Sequence, residues 1–395
     1  MFDILPIKGG IDNVKGFFSG GVSVGLKPSG KNDVAFIRSD EPCDVSAIFT
    51  QNKFQAAPIR HFKRYGETFA TNFILINSKN ANAMTGKEGI DDIDTLFASL
   101  PQSLKALNPI MSSTGVIGYR LNIPKIAKAF ELFSFNTKNS NAAAEAIMTT
   151  DRFKKEICLK VDVEGKGSFH IAAICKGAGM INPSLATMLC FITTDANVPK
   201  ELMNDLLNEA AKDSFNAISV DGDTSTNDTV MLISSAKSGV WDKEAFSEAL
   251  KFITKHLALE IVKDGEGSKK VVAFEVKNAL SLDEAEKAAK ALSNSLLVKT
   301  AIFGEDPNWG RIASTVGASG ITCDEEKLII KYDDVVVYIG TKKEMSKETE
   351  AAAAKVMKKD SFKISCDLAL GDKSFTAYGC DLGHEYVNIN ADYRS

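Results

Sequence analysis

Short apolar runs rich in β-branched residues recur along the chain between Gly, Asp and Pro: Ser168 to Cys175, Leu189 to Thr193, Val230 to Ser234 and Val271 to Val276. Their length and flanking residues predict buried strands. Other stretches carry helical spacing. Pro199 suits a first helical position, followed by Leu202, Met203, Leu206, Leu207 and Ala210. Asp242 predicts a cap for a helix that turns Phe246, Ala249, Leu250, Ile253 and Leu257 inward. Ser281 and Glu284 have capping-box spacing ahead of an alanine-rich helix to about Leu297. The last third alternates expected strands (Leu328 to Tyr332, Val335 to Ile339, Phe375 to Tyr378, Tyr386 to Ile389) with one helix from Thr349 to Lys358. This mixture reads as an α/β fold, or α+β layers, of mixed sheets covered by helices.

At 395 residues the chain exceeds the size at which one core keeps growing, so two lobes around a central cleft are expected. Composition changes the picture by exclusion. Apolar residues make up 44% and charged residues 25%, which fits a globular protein and gives no sign of bulk disorder. A net charge of -4 supplies no basic field for a polyanion, so nucleic acid is not expected as a partner. The seven cysteines, Cys43, Cys158, Cys175, Cys190, Cys323, Cys366 and Cys380, form no C-x-x-C pair. That spacing argues against a thiolate metal site and a disulfide framework, and for a cytoplasmic setting. Met1 to Gly20 lacks the apolar run of a signal peptide, and no run of about 18 apolar residues occurs, so no membrane contact is expected. No repeat or flexible linker interrupts the chain, so any break falls inside compact structure.

The stretch Lys176-Gly177-Ala178-Gly179-Met180-Ile181-Asn182-Pro183-Ser184-Leu185-Ala186-Thr187-Met188-Leu189 sets glycines and a proline between two apolar runs. A strained turn between strands follows. Such a turn presses a hydroxyl against the preceding carbonyl, and the small Ala186 leaves room for Thr187 Oγ1, which is the geometry of an N-to-O acyl shift. Hydrolysis of that ester leaves Thr187 as a new N-terminus. Its α-amine, with a pKa of about 7.7–8.0, then serves as base for its own hydroxyl. Spacing alone leaves open a plain strand-entry threonine.

This run resembles the self-cleavage site of the glutamate/ornithine N-acetyltransferase family of arginine biosynthesis, which carries Lys-Gly-x-Gly-Met-Ile-x-Pro-x-x-Ala-Thr-Met-Leu. The resemblance extends from about Val14 to Ser395. It implies an acyltransferase cut into an α chain (1–186) and a β chain (187–395), usually assembled as α2β2. The implied reaction moves acetyl from N2-acetylornithine to glutamate through acetyl-Thr187, giving ornithine and N-acetylglutamate without a metal or bound cofactor. Acetyl-coenzyme A is a second donor in some members, and no residue here decides whether it is used.

Further segments carry the resemblance. Ser113-Thr114-Gly115-Val116-Ile117-Gly118 is similar to the family's oxyanion-hole loop, which assigns the Thr114 hydroxyl and the Gly115 N–H to the tetrahedral intermediate. Ile147-Met148-Thr149-Thr150-Asp151 resembles a segment with a substrate-contacting threonine, and Thr149 is preferred to Thr150. Lys176, Glu266, Asn390 and Ser395 match family substrate contacts. An ammonium at Lys176 suits an α-carboxylate, and a carboxylate at Glu266 suits the side-chain ammonium of ornithine. Gly304-Glu305-Asp306-Pro307-Asn308-Trp309-Gly310-Arg311 resembles a signature with a structural role.

Two runs invite other chemistry and fail its tests. From Asp221 the acids and hydroxyls alternate as in a calcium loop, but position six is Thr226 rather than Gly and position twelve is Leu232 rather than Glu. In the family the run Val220 to Thr229 borders the active site, which suggests a bracing role. Asp264-Gly265-Glu266-Gly267-Ser268-Lys269 lacks the spacing of a phosphate loop. The four histidines, His61, His170, His256 and His384, fall in no hydrolase signature. Two other functions stay open on these residues: an N-terminal-threonine amidohydrolase or aminopeptidase, and an uncleaved, non-catalytic relative.

Overall fold

A computed structural model of the chain describes residues 1–67, 69–182, 188–341 and 344–392. Two compact units emerge. One holds Met1–Gly177, 188–214 and Thr224–Leu257; the other holds 178–182, Phe215–Asp223 and 258–392. The chain therefore enters each unit more than once. Ala186, Thr187 and Ser395, three residues of the expected chemistry, lie outside the described residues.

The first unit is built on a mixed sheet. Its strands are β1 (Phe2–Ile7), β2 (Phe17–Val22), β3 (Val34–Phe49), β4 (Ala70–Asn77), β5 (Ile110–Ser113), β6 (Lys155–Val163), β7 (Gly167–Lys176), β8 (Leu189–Thr194) and β9 (Thr229–Ser234). They lie in the order β1-β6-β7-β8-β9-β3-β4-β5, with β2 paired to β3. β8 pairs parallel with β9, and β4 with β5; the other pairings are antiparallel. Period-two alternation explains why both faces are covered. On β3 and β4, Ala35, Ile37, Ile74 and Ile76 join Ala143, Ala144 and Ile147 of α4 (Ser140–Ile147) in one core. Val34, Phe36, Phe73 and Leu75 turn the other way. They pack with Ile93 and Leu96 of α2 (Glu88–Ala98) and Ile126 and Phe130 of α3 (Ile123–Leu132). Every residue of β8 and β9 is buried, as their unbroken apolar runs predict.

Helix α5 (Lys200–Lys212) begins one residue later than expected, because Pro199 is its N-cap rather than its first turn. Asp242 caps α6 (Lys243–Lys263) as predicted, with Oδ1 accepting the Ala245 N–H at 3.0 Å.

The second unit carries a sheet in the order β12-β11-β13-β10-β14, from β10 (Val271–Ala279), β11 (Ile329–Tyr332), β12 (Val335–Ile339), β13 (Ser361–Asp367) and β14 (Lys373–Cys380). Only β10 and β13 run parallel. Helix α7 (Leu282–Asn294) lays Ala285, Ala288, Ala289 and Leu292 against Val272, Phe274 and Val276. The Ser281 cap accepts the Glu284 N–H at 3.2 Å. The Glu284 carboxylate does not return to close the box; it accepts from Thr322. The helix also stops at Asn294, and α8 (Leu296–Phe303) follows as a separate helix capped by Ser295. Helices α9 (Trp309–Ala318) and α10 (Lys347–Met357) complete the layer.

One expected strand is a helix. Tyr386 to Ile389 lies inside α11 (His384–Ala391), none of whose residues is buried. Alternation over four residues cannot separate the two periodicities, and here the helical one has a use. Tyr386 and Asn390 stand one turn apart on a single face. Among the described residues no helix is long and apolar enough to cross a membrane.

Candidate active site

Thr114 and Gly115 follow β5 directly. The Thr114 N–H donates to Asn77 O at 3.0 Å and the Val116 N–H to Lys79 O at 3.2 Å, so the loop is tied on both sides of Gly115. Between them the Gly115 N–H has no hydrogen-bond partner among the described residues. Gly115 sits at φ +135°, and a Cβ there would stand 2.2 Å from the Lys79 carbonyl carbon and 2.4 Å from Asn80 N. Only glycine meets both demands. An amide left free by a strained loop, next to a hydroxyl, is the arrangement that receives a developing oxyanion.

Lys176, at the end of β7, is buried and donates from Nζ to Thr114 Oγ1 at 3.3 Å. Because Oγ1 accepts from the ammonium, its own proton is directed elsewhere. The end of this strand is fixed by Asp151, whose Oδ1 accepts the Gly177 N–H at 2.7 Å and the Lys155 ammonium at 2.8 Å. Its Oδ2 accepts the Thr149 N–H at 2.9 Å. Asp151 thus joins the backbones of Thr149 and Gly177 through one carboxylate. Burial works to raise that carboxyl, but the Lys176 and Lys155 ammonium groups and these hydrogen bonds hold it well below the usual carboxylate range. Upstream, Lys27 Nζ donates to Glu145 O and Ala146 O, both at 3.1 Å, and so binds the carboxyl end of α4 just before Thr149.

The run after Val220 supplies braces. Asn227 Nδ2 donates to Ala81 O at 2.7 Å and to Ser113 O at 2.8 Å, and Asp228 Oδ1 accepts the Met188 N–H at 3.0 Å. No cluster of potential metal-binding side chains occurs among the described residues.

Within the second unit a different set converges. Asp221 gathers the glycine turn: Oδ2 accepts the Met180 N–H at 2.6 Å and Oδ1 the Ile181 N–H at 2.9 Å. Met180 itself takes φ +58°, a left-handed conformation that costs a non-glycine residue and is retained by those bonds. The Tyr386 hydroxyl reaches Asp221 Oδ2 at 3.2 Å. One turn on, Asn390 Nδ2 donates to Glu266 Oε2 at 2.7 Å, so two residues singled out by the resemblance are in contact. The Glu266 N–H donates to Ala178 O at 2.9 Å. A Cβ on Gly179 would lie 2.5 Å from the Glu266 carboxyl carbon, so the turn passes directly beside that carboxylate. The Gly304 to Arg311 signature packs within this unit. Asn308 caps α9, Trp309 stacks on Tyr338 with ring centroids 4.6 Å apart, and Arg311 Nη1 donates to Leu297 O at 2.7 Å.

A family model described as the ArgJ family matches residues 19–395. The chain belongs to the ArgJ family. It is 58% identical over 396 residues to the arginine biosynthesis bifunctional protein ArgJ of Wolinella succinogenes, with 100% of both chains covered. It is 39% identical to the glutamate N-acetyltransferase of Methanothermobacter thermautotrophicus, covering 98% of each. Among solved structures, the arginine biosynthesis bifunctional protein argJ of Bacillus halodurans matches with 38% identity and a TM-score of 0.48 over 51% of this chain and 97% of that one.

The geometry brings together Thr114, Gly115, Lys176 and the Thr149 backbone in one unit, and Glu266 with Asn390 in the other. Sequence alone assigned Asp221 and Asp228 no individual role beyond the bracing expected of the whole run Val220 to Thr229, and Asp151 none. Each lies inside a named family segment, but the main-chain N–H groups of Gly177, Met180 and Met188 that they hold are 26 to 41 residues away along the chain.

Proposed function

We propose that this ArgJ-family chain is a glutamate N-acetyltransferase that moves acetyl from N2-acetylornithine to glutamate through an acetyl ester on Thr187. The reading is carried by the Thr114 hydroxyl beside the unengaged Gly115 N–H. Its maturation is an N-to-O shift. Thr187 Oγ1 attacks the Ala186 carbonyl and the Ala186-Thr187 amide bond breaks. Water then hydrolyses the ester, leaving the Ala186 carboxylate and the free Thr187 α-amine, and an α chain (1–186) and a β chain (187–395).

In the transfer cycle the α-amine takes the proton of its own hydroxyl, whose oxygen attacks the acetyl carbonyl of N2-acetylornithine. The Thr114 O–H and Gly115 N–H receive the oxyanion. Ornithine leaves as its α-amine takes the proton. The amine of glutamate then attacks the ester, releases Thr187 Oγ1 and departs as N-acetylglutamate. Thr149, Lys176, Glu266, Asn390 and Ser395 are the substrate contacts, with Lys176 also donating to Thr114. Acetyl-coenzyme A is the second donor to test. Cytoplasmic α2β2 assembly completes the proposal.

The test is intact mass spectrometry under denaturing conditions, before and after incubation with N2-acetylornithine. Two fragments meeting at Ala186/Thr187, the second gaining one acetyl mass, support the reading. A single unmodified chain that transfers no acetyl rejects it. Release of acetate in place of N-acetylglutamate identifies an amidohydrolase instead.

A further inference from the structure

Asn227 and Asp228 are adjacent in sequence, yet their side chains reach two different segments of the chemistry. Asn227 Nδ2 holds Ser113 O, the carbonyl just before Thr114. Asp228 Oδ1 holds the N–H of Met188, the residue just after Thr187. The backbone strengthens the second grip, since the Thr229 N–H donates to Met188 O at 3.0 Å. Both polar atoms of the Met188 peptide group are therefore bound by consecutive residues.

The run itself is anchored. The Thr50 N–H donates to Asp228 O at 3.0 Å, Thr50 Oγ1 to Ser225 O at 2.7 Å, and the Ala56 N–H to Thr226 O at 2.9 Å. Thr226 Oγ1 donates to Asn227 Oδ1 at 2.7 Å, which orients the amide so that its nitrogen faces the two carbonyls. Asp228 is 1% exposed, and its Oδ2 has no hydrogen-bond partner among the described residues. An aspartate buried in this way is costly, and a position that only packs is better filled by an apolar side chain.

We propose that Asn227 and Asp228 form a positioning clamp for the acyl transfer, fixing the Thr114 and Gly115 donors relative to the chain at Met188 and hence to the nucleophile that precedes it. The inference rests on the reading of Thr187 as that nucleophile. It adds the element that sets spacing: two neighbouring side chains hold the oxyanion loop and the start of β8 at one fixed separation. A shift of about 1 Å in such a constellation can cost about 10²-fold in rate. Burial raises the Asp228 carboxyl well above its usual range, outweighing the Met188 N–H and the Lys176 ammonium. Asn keeps an Oδ1 at the same position to accept the Met188 N–H.

The experiment compares the wild-type chain with Asp228→Asn, Asp228→Ala, Asp228→Glu and Asn227→Asp. Chain cleavage is followed by denaturing mass spectrometry, transfer by kcat and KM for N2-acetylornithine and glutamate, and folding by melting temperature. Asp228→Glu keeps the carboxyl but displaces it by a methylene, so it tests spacing even where Asp228→Ala fails to fold. Asp228→Glu and Asn227→Asp are each expected to lower kcat roughly 10- to 100-fold with little change in KM. Asp228→Asn is expected to recover most of the kcat lost in Asp228→Ala. Wild-type kcat in folded Asp228→Glu, or a change confined to KM, overturns the clamp while leaving the functional reading in place. A wild-type chain that neither cuts nor transfers overturns the functional reading, and the clamp falls with it.

Discussion

Lys176 Nζ lies 3.3 Å from Thr114 Oγ1 and donates to it. This contact assigns the ammonium a second task beside the α-carboxylate contact implied by resemblance. By occupying a lone pair of Oγ1 it leaves the Thr114 proton for the oxyanion of the proposed reaction, and the positive charge strengthens that donor. Lys176→Met removes both effects with little change in volume. Thr114→Val removes the hydroxyl itself and is expected to lower kcat about 10²–10³-fold. Lys176→Met is expected to lower kcat less in the Thr114→Val background than it does alone. Pre-steady-state acetylation of Thr187 in the two single variants and the double variant measures that coupling.

Gly115→Ala tests the loop from the backbone. The added methyl meets the Lys79 and Asn80 main chain at less than 2.5 Å, and φ +135° is already unfavourable for alanine. Main-chain atoms cannot rotate away, so the loop must shift and the Gly115 N–H with it. The expected result is a loss of about 1–3 kcal/mol in stability together with a fall in kcat at least as large as that of Thr114→Val. Denaturant titration and steady-state kinetics on the same preparation check both.

Asp151 supplies an acid-sensitive test. Its carboxyl is held below its unfolded value, about 3.9, by Lys176 and Lys155 against the opposing effect of burial. A depressed carboxylate contributes its full stabilisation above the unfolded value and loses it as pH falls towards the folded one. Asp151→Asn leaves the buried Lys155 without its carboxylate, a change that typically costs about 3–5 kcal/mol. Its deficit against wild type is expected to be greatest near neutral pH and to shrink steadily below about pH 4. Denaturant midpoints measured from pH 7 to pH 2.5 give the curve.

How legible these features are in the sequence depends on whether the cause is local. β8 and β9 announce themselves because 189–192 and 230–233 are unbroken apolar runs, and the glycine turn because Gly and Pro have few other uses. α11 misleads because the run Tyr386 to Ile389 is too short to separate the two periodicities, whereas the contacts that decide its form, Tyr386 to Asp221 and Asn390 to Glu266, come from 165 and 124 residues away. β13 went unread although Phe362, Ile364 and Cys366 alternate with Lys363 and Ser365 as a half-buried strand does, and pairing with β10 and β11 shows that alternation as one inward row. Asp151 is equally silent, and Asp221 and Asp228 are marked only as members of a polar run. A carboxylate in a polar run looks solvated until folding buries it against amides contributed by another segment.

Glu266 and Asn390 give a prediction specific to substrate. The Asn390 amide occupies Glu266 Oε2, which fixes the carboxylate that the proposed function places against a side-chain ammonium. Glu266→Gln is expected to raise KM for N2-acetylornithine while leaving chain cleavage intact, and Asn390→Ala to raise it less. In a double-mutant cycle the two changes should be non-additive by about 0.5–3 kcal/mol. Strict additivity would show that the contact does nothing for substrate.

Asp228 allows the sign of a pH effect to be set against that of Asp151. Burial raises its carboxyl well above the usual range. In the unfolded chain it ionises near pH 3.9, and in the folded chain only at a higher pH. Between those two values the folded state binds more protons, so this residue makes stability fall as pH rises. Asp228→Asn has no proton to lose and escapes the penalty. The variant is expected to gain stability over wild type as pH rises from 4 to 7, the opposite of the widening deficit in Asp151→Asn. Two buried aspartates of one unit, each changed to asparagine, should thus move in opposite directions on the same titration. Parallel curves for the two variants would mean that Asp228 folds as a carboxylate, and that the Met188 N–H is held by charge.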